Sequence, residues 1–179
     1  EGWHDAAFFN MCRPLELVFA NGMDKGEIVG IPTGDVTQMK SFEEFFDAYK
    51  KQMEYCISLL VNADNAIDVA HAERCPLPFL SCMIDDCLKE GRSVQEGGAV
   101  YNFTGPQGFG IANMADGLFA IRKLVYEEKK VSMEEFKEAL AWNYDKGLDA
   151  QSAGDMTEMI MKAMQKAGKE ADASTAAGL

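Results

Sequence analysis

No stretch of this chain reaches the roughly 20 consecutive apolar residues needed to span a bilayer, and no basic segment leads into an apolar one as in a secretory leader. Basic residues are scarce: 17 Lys+Arg against 29 Asp+Glu leave a formal net charge of −12 with both histidines neutral. They are scattered rather than clustered, so they cannot neutralise a run of phosphates, and nucleic acid is excluded as a partner. The cysteines at 12, 56, 75, 82 and 87 are odd in number and follow no secreted-scaffold spacing. A reducing cytoplasm is therefore the expected compartment, with no membrane involved. An initiator Met is lacking, and the chain stops at Ala177-Gly178-Leu179 without a closing element. We therefore expect a segment of something larger.

What is present is globular in composition, 47% hydrophobic and 26% charged over 179 residues, which allows one ordinary domain or a piece of a bigger one. Ala7, Phe8, Met11, Leu15, Val18 and Phe19 fall near helical spacing, predicting a helix over 5–21 that Pro14 either kinks or restarts and Asn21-Gly22 ends. Ile28 to Pro32 reads as a brief strand before turn chemistry at Pro32-Thr33-Gly34-Asp35. Ser41 and Glu44 form a capping box, and Phe42, Phe45, Phe46, Tyr49, Met53, Cys56, Leu59 and Leu60 then predict a long helix over 42–72. After Pro76 and Pro78 a second helix should run through Phe79-Leu80 to Lys89 and stop at Glu90-Gly91. Ser132 with Glu135, and Asp155 with Glu158, cap two further helices, the last with a Met156, Met159, Ile160, Met164 face. Beyond Gly168 we expect a frayed end.

Residues 97–115 carry no charge at all and are rich in Gly, Asn, Gln and Thr, so they predict a buried strand and loop entering a helix near 111. Glu96 and Asp116 bracket this stretch. A carboxylate at the edge of a buried glycine-rich strand is a candidate for altered ionisation.

Three constellations bear on chemistry. His71-Ala72-Glu73 with Cys75, Cys82 and Cys87 resembles part of a zinc-deaminase signature. The closing Pro-Cys-x-x-Cys is absent, so no metal site is expected and the thiols read as buried structural groups. Gly105-Pro106-Gln107-Gly108-Phe109-Gly110 lacks the phosphate-loop lysine and the dinucleotide spacing, so close backbone approach is the better reading. His4 beside Asp5 fits a helix start.

Pro78-Phe79-Leu80-Ser81, Asp86-Cys87 through Gly91, and Glu96-Gly97-Gly98-Ala99-Val100-Tyr101-Asn102-Phe103-Thr104-Gly105-Pro106-Gln107-Gly108 resemble the glycyl radical enzymes, the pyruvate formate-lyase-like superfamily. Ala112 to Leu118 and Ile121 to Tyr126 continue the likeness, which covers about residues 4–145. The resemblance implies an α/β class: a ten-stranded barrel enclosing a cysteine loop and a glycine loop, of which this chain would be a mostly helical part with a few short strands, residues 97–104 forming one of them. It also implies a cytoplasmic, anaerobic lyase whose glycyl radical is installed by an S-adenosylmethionine iron–sulfur activase. The expected partners are a small carboxylic acid substrate, that activase, a further copy of the chain and a small accessory subunit. Neither the Gly-Cys-Val-Glu of the cysteine loop nor the Arg-Val-x-Gly-Tyr of the glycine loop occurs in the chain. No cysteine or glycine here is carried over as a radical residue, and residues 1–179 are expected to be one internal segment of a single catalytic domain, inactive alone.

Within the superfamily, Trp3-His4-Asp5-Ala6-Ala7-Phe8-Phe9, Glu96 and the helix near 155–167 are similar to the arylacetate decarboxylases, whose substrates include 4-hydroxyphenylacetate. That likeness implies that His4 and Glu96 hold the phenol hydroxyl, with Glu96 as the catalytic base. A phenol ionises about three units above neutral pH, so such a base must have its proton affinity raised, which burial can do. The alternatives are another glycyl radical lyase, of diol dehydratase or arylsuccinate synthase type, or a helical interaction module without chemistry.

Overall fold

The computed structural model describes residues 3–145. They divide into two compact units. One contains the chain up to Asn10 together with Glu54–Phe109, and the other contains Met11–Met53 together with the chain from Gly110 onward.

In the first unit, Trp3–Asn10 is a strand, β1, running parallel to Thr104–Phe109, β4. The predicted single helix over 5–21 is therefore wrong in its first half. Pairing with a segment about a hundred residues away outweighs the local apolar spacing, which the aromatic and alanine residues of β1 satisfy equally well as a strand. The helix proper, α1, spans Arg13–Phe19 in the second unit, with Pro14 in its first turn, where a missing N–H costs nothing. Two-residue strands β2 (Met23–Asp24) and β3 (Glu27–Ile28) form a small antiparallel pair, so the strand expected over 28–32 is shorter and earlier.

Helix α2 runs from Phe42 to Arg74, two residues beyond its predicted end. The Ser41–Glu44 box caps it: Glu44 N–H donates to Ser41 Oγ at 3.2 Å, and the Glu44 carboxylate accepts from Lys40 N–H at 2.8 Å. The helix expected from 79 to 89 is instead two single turns, α3 (Pro78–Ser81) and α4 (Cys87–Glu90). Asp86 between them lies in the left-handed region at φ 75°, which no continuous helix accommodates. Gly91 ends α4 at φ 64°, as its position after Glu90 predicts.

The uncharged stretch also differs from expectation. Its strand is β4, residues 104–109 rather than 97–104, and most of its residues are exposed rather than buried. The helix predicted near 111 is present as α5 (Ile111–Ile121), followed by a π-helical turn over Arg122–Glu127 and by α6 (Met133–Asp145). The expected helix over 155–167 and the frayed tail fall outside the described residues.

The second unit has the larger core: Val18, Val36, Phe45, Tyr49, Leu118, Ile121, Met133 and Phe136 are buried together. Phe19 joins it against Phe45 and Phe136, with ring centroids 5.5 and 6.1 Å apart. In the first unit a smaller cluster of Cys87, Val94 and Ala99 gathers Leu80 and Ile84. Cys75 and Cys82 are exposed, so the expectation of generally buried thiols holds fully only for Cys87. Among the described residues no helix is long and apolar enough to cross a membrane.

Candidate functional site

His4 and Glu96, the two site residues singled out by sequence, lie in the first unit. Pro78 stops α2's continuation and starts α3, whose last residue, Ser81, is buried and fully committed: its hydroxyl donates to Leu77 O at 2.8 Å and accepts from Val94 N–H at 3.0 Å. Leu77 N–H in turn donates to Gln95 Oε1 at 3.2 Å. These bonds tie the segment before α3 to residues 93–98. A cleft of about 360 Å³ lies along this region, lined by Pro76, Pro78, Cys82, Leu88, Arg92, Ser93 and Glu96 among others.

Glu96 is on this cleft, but not as a buried base. Its Oε2 accepts from both Ser93 N–H (2.9 Å) and Ser93 Oγ–H (2.8 Å), while Glu96 N–H donates to Ser93 Oγ at 3.3 Å. The Ser93 backbone N–H, then its hydroxyl, then the charge of Arg92 hold the Glu96 carboxyl below its ordinary value. The side chain is exposed. The raised proton affinity expected for a phenol-deprotonating base is therefore not met in this chain, because hydrogen bonds favour the ionised form and outweigh the slight desolvation that opposes them.

His4 is not at a helix start. Its backbone lies in β1 opposite Gly105, and the parallel register breaks between His4 and Ala7. Asp116, the other bracket of the uncharged stretch, is half-buried in α5 of the second unit.

Gly105 to Phe109 are strand residues paired with β1, so they do not form a phosphate-wrapping loop. Among the described residues no three His, Cys, Asp or Glu side chains gather closely enough to hold a metal ion.

Sequence reasoning missed a second concave surface, within the other unit. A cleft of about 640 Å³ has an apolar floor of Leu15, Phe19, Met23 and Leu140 and a charged rim. On that rim Arg13 bridges Glu16 at 2.8 Å and Asp24 at 2.5 Å. Cys12, also on the cleft, donates to Gly110 O at 3.5 Å, and burial followed by the nearby Glu16 charge pushes its thiol up. Beneath it Tyr49 donates to Met11 O at 3.3 Å and is pushed up to about 12, chiefly by burial. Both groups stay protonated at neutral pH, so neither is a ready nucleophile or base.

A family model described as pyruvate formate lyase-like matches residues 1–175. The chain is 39% identical over 145 residues to the (2S)-3-sulfopropanediol dehydratase of Klebsiella oxytoca, a match covering 80% of this chain and 18% of that protein. A solved structure concerned with 1,2-propanediol dehydration in Roseburia inulinivorans superposes with a TM-score of 0.77 at 60% identity, over 94% of this chain and 20% of that one. The glycerol-bound B12-independent glycerol dehydratase of Clostridium butyricum gives the same TM-score at 44% identity, over 87% and 19%. The arylacetate likeness is weaker: the indoleacetate decarboxylase of Tractidigestivibacter scatoligenes is 27% identical over 139 residues, covering 77% of this chain and 16% of that protein. The chain thus spans about a fifth of the length of the relatives it matches.

Proposed function

The chain belongs to the pyruvate formate lyase-like family, and from that premise we propose that it is an internal segment of the catalytic chain of a glycyl radical lyase that dehydrates a small vicinal diol. The observation carrying this reading is the 60% identity, over 94% of the chain, to the structure describing 1,2-propanediol dehydration. The arylacetate reading has much lower identity behind it. It also depended on Glu96 as a proton-seeking base, and the hydrogen bonds from Ser93 favour the opposite state.

In such an enzyme the organic radical, generated by an activase, supplies hydrogen-atom abstraction. This chain contains neither of the two radical-loop motifs, and no radical residue is assigned to it. Its own contribution is scaffolding: β1 and β4 as adjacent parallel wall strands, with the committed turn over 93–98 preceding β4.

The test uses the full-length protein carrying this sequence, activated without oxygen. A glycyl radical signal in paramagnetic resonance together with conversion of 1,2-propanediol to propanal and water is the expected result. Radical formation with carbon dioxide release from 4-hydroxyphenylacetate, and no diol turnover, would overturn the dehydratase reading in favour of the decarboxylase. Absence of any radical under conditions that activate a known dehydratase would overturn both.

A further inference from the structure

Ser93-Val94-Gln95-Glu96 has the same Ser-x-x-Glu spacing as the two helix-capping boxes at 41–44 and 132–135. Its bonding is also reciprocal. The Glu96 carboxylate takes the N–H and O–H of Ser93, and the Ser93 hydroxyl takes the N–H of Glu96. No helix follows it. The chain instead closes into a turn, with Gly97 N–H donating to Val94 O at 3.1 Å and Gly98 N–H to Ser93 O at 2.9 Å. At Gly98 an added Cβ would lie 2.2 Å from Arg92 O, so the turn closes tightly enough that only glycine fits.

This closed turn faces two ways. Val94 N–H is held by Ser81, on α3. Val94 O accepts from Asn102 Nδ2 at 3.3 Å, two residues before β4 begins opposite Trp3 of β1. This hydrogen bond links residues 93–98 to the approach to β4 and so to the strand that pairs with β1.

We propose that Glu96 is a positioning residue rather than a proton-transfer group: acting through Ser93, it locks the 93–98 turn and so sets the start of β4 for substrate turnover. The inference rests on the dehydratase reading for its activity readout, and on hydrogen exchange alone for its structural half. It makes a specific claim about chemistry. What matters in Glu96 is an acceptor oxygen for Ser93. Oε2 takes both of these bonds, so glutamine can supply that oxygen and alanine cannot.

The experiment compares Glu96→Gln, Glu96→Ala, Ser93→Ala and the Ser93→Ala/Glu96→Ala double variant in the activated full-length protein. Radical yield, kcat, KM for 1,2-propanediol, the pH profile and amide exchange over 96–98 are all measured. Glu96→Gln should keep kcat/KM within about threefold of the parent and leave the acid limb of its pH profile unmoved. Glu96→Ala and Ser93→Ala should each lose about tenfold to a hundredfold at unchanged radical yield, the range expected when a reacting geometry slips by about an ångström. The double variant should be no worse than the poorer single one, since both remove one box. Amide exchange over 96–98 should quicken in the alanine variants and not in Glu96→Gln. A dead Glu96→Gln beside a fully active Ser93→Ala would overturn the proposal and restore a proton-transfer role. Parental activity in every variant would overturn it as well. If the parent forms its radical but turns over no diol, the dehydratase reading fails, and exchange then decides the lock alone: equal quickening in Glu96→Gln and Glu96→Ala, or none in either, would refute it.

Discussion

At the scale of single residues, the most consequential side chain outside the candidate site is Gln52. It is fully buried in the second unit, and its amide makes both bonds to one peptide residue: Nε2 donates to Ile31 O at 2.5 Å and Oε1 accepts from Ile31 N–H at 3.2 Å. A side chain here does the work of a neighbouring strand. Gln52→Leu keeps the volume but leaves both Ile31 groups without their partner, and should cost about 2–4 kcal/mol at one to two for each group stranded. Urea unfolding of the dilute chain followed by circular dichroism checks this, and an unchanged midpoint would refute it. Gln52 was legible only as a polar residue at a core position seven after Phe45. Glu96 was legible as a candidate, but its surroundings were not. Proximity to an uncharged stretch suggested burial, whereas the side chain is exposed and bonded to the serine three residues before it. The Ser-x-x-Glu spacing that correctly marked residues 41–44 and 132–135 was equally present at 93–96, and what hid it was the absence of a helix to follow.

At the scale of elements, legibility tracked how local the determining interactions are. The capping boxes at 41–44 and 132–135, the start of α2 and the stop at Gly91 are set by residues within four positions of one another, and these are found where the spacing puts them. β1 is set by β4 far along the chain, and the break at Asp86 by a single left-handed residue, so neither leaves a periodic trace. The box opening α6 yields a local prediction. Ser132 N–H donates to Glu135 Oε2 at 2.8 Å and Glu135 N–H to Ser132 Oγ at 3.2 Å. The Ser132 backbone N–H foremost, and then the Ser132 hydroxyl, lower the Glu135 carboxyl from its ordinary value of 4.5. A carboxylate lowered in the folded state contributes stability that is complete above its unfolded value and fades as pH falls through the folded one. Ser132→Ala should therefore weaken the first turn of α6 by about 1 kcal/mol at neutral pH, a roughly fivefold rise in amide exchange there. The difference between parent and variant should narrow below pH 4.5. A difference that stays constant into acid would show that the Ser132 hydroxyl does not stabilise the Glu135 carboxylate.

At the scale of the whole molecule, the net charge of −12 and the exposed apolar surface act against each other. The second half of α2 leaves Ile57, Val61, Ile67 and Val69 exposed, and these residues fall on different sides of the helix, a distribution proper to a helix enclosed by other structure. Phe79, Leu88, Val100, Tyr101 and Phe103 are each between 65% and 79% exposed, more apolar surface than soluble monomers ordinarily leave uncovered. β1 and β4 pair only with each other among the described strands, so each has an edge whose N–H and C=O groups can recruit another strand. The chain spans about a fifth of its relatives' length, and we attribute these surfaces to contacts with the remaining four-fifths. Produced alone, the 179 residues should self-associate. Because mutual repulsion of the acidic surfaces is what opposes association, raising salt should strengthen it as screening shortens the reach of those charges to about 3 Å at 1 M. Sedimentation velocity across protein and salt concentration, with a dye that fluoresces on apolar surface, measures both effects. A salt-insensitive monomer that binds no dye and unfolds cooperatively would mean that these faces need no cover, and would remove the physical ground for placing the segment inside a larger barrel.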